Sequence, residues 1–392
     1  MNVNLVFMGG FTYPSGMAGT RRVQNVINGL KQFPDVSTRV ILQRQSSEHN
    51  SLSGVHEGTP YETIMGDVLR ARMLIALPVL HRRTVAALKR AFQPGRLNVI
   101  YFYGPLFLES IAPLKYARRL GYNIVFDVVE DFSLAGEVSH TFYHNLRGNL
   151  LYRFSSQIGN FSSGIVAISS YLAARCAELT QGKVPVHYMP ISVDMDCFPE
   201  KPFRMDSSVS LFYAGSFGKK DGLPVLLDAF DLLAERYRNI CLVLTGRGDR
   251  ESMKEFFDRV ELSPHKERIE YKGYLDDKAY YSLLNTIDIP CMTRVDLAFA
   301  HAGFPFKLGE YLATGRPVIA SRVSDIDNFL VNKENAMLVE AGSSTEICQA
   351  VEFLFSNQEA AAAIGEGGRN VARSFFDYKR QGKALLNFLE GI

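Results

Sequence analysis

"GFPFKLGEYLATGRPVIAS", residues 303–321, reads as a turn, a short helix and a buried strand. Leu308, Tyr311 and Leu312 fall at i, i+3 and i+4 and form the buried stripe of the helix, Gly315 stops it, and Pro317 opens an apolar strand. Lys307 stands in the first helical turn, where a cation opposes the helix dipole at a cost of ~0.3–1 kcal/mol. Glu310 follows three residues later. An anion held at the helix start would reverse the sign of the lysine term and use the backbone N–H groups there. The carboxylate one turn in then suits the two vicinal hydroxyls of a ribose. A surface Lys307–Glu310 ion pair of little energetic weight accounts for the same residues, and this segment alone leaves both readings open.

The same alternation of short apolar strands and helix-period segments runs along the whole chain, the pattern of parallel α/β sheets. Strands are expected at "NVNLVFMGG", "STRVILQR", "LNVIYFYG", "YNIVFDVVE", "GIVAIS" and "VPVHYMPIS", and again at "SLFYAGSF", "NICLVLTG", "RIEYKGY", "IPCMTR", "RPVIASR" and "NAMLVE". Two complete rounds predict two Rossmann-like, doubly wound parallel-sheet domains facing across a cleft. The polar segment 194–208 is the expected linker. The length of 392 residues suits two domains.

With 47% hydrophobic and 21% charged residues the chain has ample core, and a net charge of +2 excludes a whole-molecule footprint for nucleic acid. Five scattered cysteines point to a reduced, cytoplasmic chain. The start has no basic signal-peptide region, and the longest apolar run, 73–80, is too short to span a bilayer.

Three glycine-bearing loops follow strands. "YAGSFGKKDG", 213–222, offers Gly215 for close backbone approach and Lys219 and Lys220 for a diphosphate, but lacks the ending of a Walker A loop. "LTGRGD", 244–249, carries Gly246. "GGFTYPSGMAGTRR", 9–22, ends where Gly19 and Thr20 can present N–H groups to phosphate. It lacks the GxGxxG spacing, which argues against a nicotinamide enzyme.

In their order these stretches, with "VAISSYLAARC", "MPISVDMDCF" and "YKGYLDDKAYYSLL", resemble a GT-B glycosyltransferase of family 4, the retaining, nucleotide-sugar-dependent class. The resemblance implies an acceptor-binding domain over 1–200, a nucleotide-sugar-binding domain over 201–375 and a C-terminal helix, 376–392, that crosses back to the first. It implies that Glu310 binds the donor ribose, that Lys220 or Lys219 neutralises the diphosphate, and that the helix start at Phe306, Lys307 and Leu308 touches it. Gly19 would approach from the other domain, and Tyr271, Lys272 and Gly273 would lie by the base. The donor is then a nucleoside-diphosphate sugar and no cofactor is needed.

Two departures stand out. The family's first glutamate falls on Ala302, with His301 beside it, and the usual arginine partner of the loop lysine has no counterpart. "DMD" at 194–196 and "DID" at 325–327 look like metal motifs of another fold, yet lysines and a helix N-terminus meet the same charge, so no metal is expected.

Asp127, Glu130 and Asp131 in "FDVVEDFS" are candidates for a base near the acceptor hydroxyl, Glu130 first, and His140 and His144 for lining the acceptor side. Residues 81–96 read as a basic amphipathic helix in which Arg82, Arg83, Lys89, Arg90 and Arg96 suit anionic headgroups while Val85, Leu88 and Phe92 pack or dip in. An ordinary solvated face fits equally. The expected activity is transfer of a sugar to a saccharide or lipid-linked acceptor in polysaccharide or glycolipid synthesis. An inactive binding relative and a nucleotide-sugar epimerase are the alternatives.

Overall fold

The computed structural model describes residues 2–45, 50–66, 73–134, 153, 155–205 and 208–392. His140 and His144 lie outside the described residues. The chain divides into two compact units, one of Met1–Ser192 with Tyr378–Ile392, the other Val193–Asp377.

Unit 1 is built on an eight-stranded sheet in the order β3-β4-β2-β1-β5-β6-β7-β8. Its strands are β1 (Val3–Gly9), β2 (Val36–Arg44), β3 (Ser53–His56), β4 (Thr59–Met65), β5 (Leu97–Tyr103), β6 (Asn123–Val128), β7 (Gly164–Ala167) and β8 (Val186–Tyr188). All pairs are parallel except β3–β4. Helices α1 (Ala18–Lys31), α2 (Met73–Ala91), α3 (Leu108–Leu120) and α4 (Ser170–Leu179) make the crossovers. Burial on both faces explains why β1 and β5 read as near-continuous apolar runs. The β3–β4 hairpin turns through Glu57 and Gly58, both at positive φ, and β3 is largely exposed. It has no apolar run to announce it, and the sequence reading contained no strand there.

Unit 2 is a six-stranded, all-parallel sheet in the order β11-β10-β9-β12-β13-β14. Its strands are β9 (Val209–Gly215), β10 (Ile240–Gly246), β11 (Ile269–Tyr271), β12 (Ile289–Met292), β13 (Ile319–Ser321) and β14 (Met337–Val339). The helices are α5 (Leu223–Arg236), α6 (Arg250–Glu261), α7 (Asp277–Leu284), α8 (Ala298–Ala302), α9 (Phe306–Ala313), α10 (Ser344–Ser356) and α11 (Gln358–Val371). The last helix, α12 (Tyr378–Glu390), returns to unit 1 and lies on α1. Gly29 and Gly382 let the two backbones touch: a Cβ on Gly382 would stand 2.3 Å from the Gly29 carbonyl oxygen.

Both sheets are Rossmann-like and doubly wound. Leaving aside the β3–β4 edge hairpin, strand order reverses once in each, at β1/β5 in unit 1 and at β9/β12 in unit 2. Such switch points open a crevice at the carboxyl ends of the strands, where ligands of α/β sheets bind.

Candidate functional site

The candidate residues of unit 2 gather at its switch point. After β9 the loop 216–222 folds around the Asp221 carboxylate, which accepts from the Tyr213 hydroxyl at 3.0 Å, the Ser216 hydroxyl at 2.8 Å and the Gly218 N–H at 3.1 Å. Burial drives the Tyr213 hydroxyl well above its ordinary pKa, so it stays a donor. This brace presents Lys219 to solvent and turns Lys220 toward the loop after β12. The Lys220 carbonyl accepts from the Val295 N–H at 3.3 Å, and its ammonium stands 5.0 Å above the Phe299 ring.

The crossover from β12 to β13 carries α9. Leu308, Tyr311 and Leu312 are buried as the periodicity predicts, and the Tyr311 hydroxyl accepts from the Ala214 N–H at 2.8 Å. Lys307 and Glu310 stand on the adjoining face. Glu310 is 7% exposed, and its Oε2 accepts from the Tyr280 hydroxyl at 2.8 Å and from Lys307 Nζ at 3.2 Å. Tyr281 contributes a long contact of 3.5 Å to Oε1. The Lys307–Glu310 pair therefore exists, but as part of a cluster at the switch point rather than as an isolated surface pair.

Helix ends sharpen this picture. In unit 2, α6, α7 and α10 begin with capping side chains from Asp249, Asp276 and Ser343, and α11 has Glu359 in its first turn. Among the described helices of eight residues or more in this unit, only α5 and α9 start with neither a capping side chain nor an acid in the first turn. Both lie at the switch point. Their dipoles, with Lys220 and Lys307, make this the natural seat for an anion.

Next to it, β10 and β11 end in a second group. Gly246, at φ 128°, comes so close to Gly215 that a Cβ would stand 2.0 Å from the Gly215 carbonyl oxygen. The Tyr271 hydroxyl donates to the Gly246 carbonyl at 2.8 Å, and the Gly273 carbonyl accepts from the Gly246 N–H at 2.9 Å and the Thr245 hydroxyl at 2.7 Å. The Arg247 guanidinium stacks 4.4 Å above the Tyr274 ring. Sequence reasoning named neither of that pair.

Ala302 is buried and apolar, so the position of the family's first glutamate offers no polar side-chain atom. His301 is committed locally: Nε2 meets Asp296 at 2.7 Å and Nδ1 accepts from the Ser324 N–H at 3.2 Å. Of the acidic motifs, Asp194 caps a short turn and Asp327 pairs with Arg322.

In unit 1, Gly19 and Thr20 open α1 at the β1/β5 switch point. A Cβ on Gly19 would sit 2.9 Å from the Tyr103 ring, so a larger residue there would have to displace that ring. The Thr20 hydroxyl donates back to the Thr12 carbonyl at 2.7 Å and closes the loop. Asp127 is not placed as a base. It is fully buried and forms a two-point ion pair with Arg22, both contacts 2.8 Å, while Arg22 also donates to the carbonyls of Pro190 and Met189. Burial works against the guanidinium charge, but the Asp127 carboxylate outweighs it and holds Arg22 above its ordinary pKa.

Asp131 is likewise taken, by Ser133 at 2.6 Å and Tyr171 at 3.0 Å. Glu130 is part-buried and makes no hydrogen bond or ion pair among the described residues. It lines a largely apolar pocket of about 40 Å³ with Val128, Leu172 and Cys176.

On α2, Leu88 is core and Phe92 packs against Tyr122, so these apolar side chains face inward. Among its described side chains the exposed large apolar ones are Ile75 and Val79, which share a stripe with Arg82, Arg83 and Arg90. Among the described residues no helix is long and apolar enough to cross a membrane.

Residues 208–357 match the family described as glycosyl transferases group 1. A phosphatidyl-myo-inositol mannosyltransferase of Mycobacterium leprae is 27% identical over 217 residues, 54% of this chain and 55% of that protein. The chain thus spans little more than half the length of this relative. A GDP-mannose-dependent alpha-(1-6)-phosphatidylinositol monomannoside mannosyltransferase of Mycolicibacterium smegmatis is 23% identical over 80% of this chain and 82% of its own. Among solved structures, a sucrose-phosphate synthase from Thermosynechococcus elongatus superposes with a TM-score of 0.79 at 13% identity, covering 99% of this chain and 98% of the other. Anabaena HepE in complex with UDP-glucose gives 0.72 at 16% identity, over 99% and 100%. Residues 208–357 are thus similar to the group 1 glycosyltransferases, and the chain has the GT-B fold of these solved structures.

Proposed function

We propose that the protein is a retaining glycosyltransferase that moves a sugar from a nucleoside-diphosphate donor to an acceptor hydroxyl in glycolipid or cell-surface polysaccharide synthesis. The observation that carries this reading is the cluster at the unit 2 switch point: two uncapped helix starts, two lysines and a near-buried glutamate. Breaking a glycosyl–diphosphate bond leaves negative charge on the nucleotide. Lys220, Lys307 and the backbone N–H groups of α9 stabilise that charge, and preorganised donors of this kind lower such barriers by several kcal/mol. Glu310 accepts hydrogen bonds from the ribose, and Tyr271 and Gly273 border the base. In unit 1, Gly19 and Thr20 at the start of α1 offer N–H groups suited to phosphate, and Glu130, the one carboxylate of its stretch without a partner among the described residues, is the acceptor-side base.

Relatives named as mannosyltransferases of phosphatidylinositol support a lipid-linked acceptor. The α2 stripe of Ile75 and Val79 followed by Arg82, Arg83, Lys89 and Arg90 fits peripheral contact with an anionic leaflet on the cytoplasmic side. Sedimentation with anionic vesicles at low salt tests the contact: co-sedimentation is expected, and none removes it.

Thermal-shift screening against UDP, GDP, ADP, CMP and their sugar conjugates tests the central reading, because a ligand that binds only the folded chain raises its melting temperature. Stabilisation by one diphosphate and its sugar, with transfer that keeps the anomeric configuration, is expected. No stabilisation by any nucleotide would contradict it. Epimerised donor as the product would instead favour the epimerase.

A further inference from the structure

We infer that Tyr280 is a positioning residue for the nucleotide half of this site: its hydroxyl orients the Glu310 carboxylate, and its ring seats the Lys307 ammonium. The inference rests on the nucleotide-sugar reading above.

Tyr280 is rigidly placed before any ligand arrives. The Asp276 side chain accepts from the Ala279 N–H at 2.8 Å and caps α7, and the Tyr280 N–H donates to the Asp276 carbonyl at 2.8 Å. Tyr280 is 4% exposed, and Leu284, one turn on, is fully buried. From this anchored turn the phenol reaches α9, thirty residues away in sequence.

One side chain makes both contacts. The hydroxyl donates to Glu310 Oε2 at 2.8 Å, and the ring face lies 4.1 Å beneath Lys307 Nζ. Lys307 itself reaches the same oxygen at 3.2 Å. Without the hydroxyl, Oε2 would lose its 2.8 Å contact and keep that to a lysine whose side chain is 28% exposed. A flexible ammonium fixes direction poorly, whereas a buried phenol sets the plane of the carboxylate. Without the ring, the ammonium loses its cation–π seat and regains the rotamer freedom of a solvated lysine. Tyr281 has a different part: its ring packs edge-on against Phe198 at 5.4 Å and its hydroxyl contact is long.

Two substitutions separate the contacts. Tyr280→Phe keeps the ring and deletes the hydroxyl; Tyr280→Leu deletes both. Calorimetric titration of the full chain compares UDP and GDP with dUDP and dGDP, which lack the 2′-hydroxyl, and with UMP and GMP. The wild type should favour the ribonucleotide over its deoxy form by about tenfold or more, the usual worth of a hydrogen bond to a charged group. Tyr280→Phe should cut that ratio several-fold and leave the diphosphate-to-monophosphate ratio unchanged. Tyr280→Leu should lower both ratios. A general packing defect would weaken all ligands alike and move neither ratio, so wild-type ratios in Tyr280→Phe overturn the inference while the nucleotide reading stands. A wild-type chain that binds no nucleoside diphosphate, ADP included, overturns that reading and the inference with it. Should Tyr280→Leu fail to fold, the ratios from Tyr280→Phe decide the matter alone.

Discussion

Arg22–Asp127 in unit 1 and Lys307–Glu310 in unit 2 are both ion pairs beside a switch point, the first joining α1 to β6 and the second lying within α9. They differ in what is left over. In the first pair neither side chain has any exposure, and the guanidinium divides its hydrogen bonds between the carboxylate and two backbone carbonyls. In the second the lysine is 28% exposed, the glutamate 9%, and the helix that carries them starts without a cap. A saturated buried pair holds a fold together; a pair with accessible donors at an uncapped helix can take a ligand. Charge and position alone do not separate the two, and exposure does.

Deleting the Asp127 side chain should have the largest effect. Asp127→Ala strands a buried guanidinium, and breaking such a pair costs about 3–5 kcal/mol, read as a fall in the denaturation midpoint. Wild-type stability with activity lost would reverse the assignment and return Asp127 to the reaction. Lys220→Ala is the opposite case. Donor turnover should drop about 10²–10³-fold, the scale of a lost transition-state donor, with the melting temperature near that of the wild type. An unfolded variant would make Lys220 structural and erase the contrast.

Gly19→Ala sharpens the unit 1 side. Its Cβ would lie 2.9 Å from the Tyr103 ring, so a loss of about 1–3 kcal/mol is expected from overpacking, measured by urea unfolding. Tyr103 is itself held protonated by burial and by Asp127, which leaves the ring no charged alternative.

How much of this was legible varies with distance along the chain. Strand–helix alternation, the stripe of α9 and the loop lysines are local signals, and all three appear where the spacing puts them. The partners that give the residues their meaning are not local. Tyr280 meets Glu310 across 30 positions and Arg22 meets Asp127 across 105, and no periodicity records either contact. Asp127 looked like a base because a strand end at a switch point is where bases sit; only the Arg22 contact removes it. Helix α2 is also longer than its basic stretch suggests. Its apolar residues at 88 and 92 serve the core, while the exposed ones lie at 75 and 79, in the apolar run read apart from the helix.

The smallest effect concerns a capped helix, as a contrast to α9. Asp249 accepts from the N–H groups of Glu251 and Ser252, and these bonds, Ser252 foremost, hold its carboxyl below the ordinary value. The folded form thus has the lower pKa, so its stabilisation is present above the unfolded value of about 3.9 and fades as pH falls through the folded one. Asp249→Ala should cost about 1 kcal/mol at neutral pH and nothing in strong acid, where both proteins carry no charge there. A penalty independent of pH would mean that the cap is not acting through its carboxylate.

Calorimetric titration of a nucleoside diphosphate, with the wild type beside Glu310→Gln, tests most directly that the part-exposed pair is a ligand site. The account predicts that one of UDP and GDP binds the wild type, and that the amide, which keeps the shape and loses the charge, weakens it about ten- to a hundredfold at unchanged melting temperature. Equal affinity in the two proteins would contradict it.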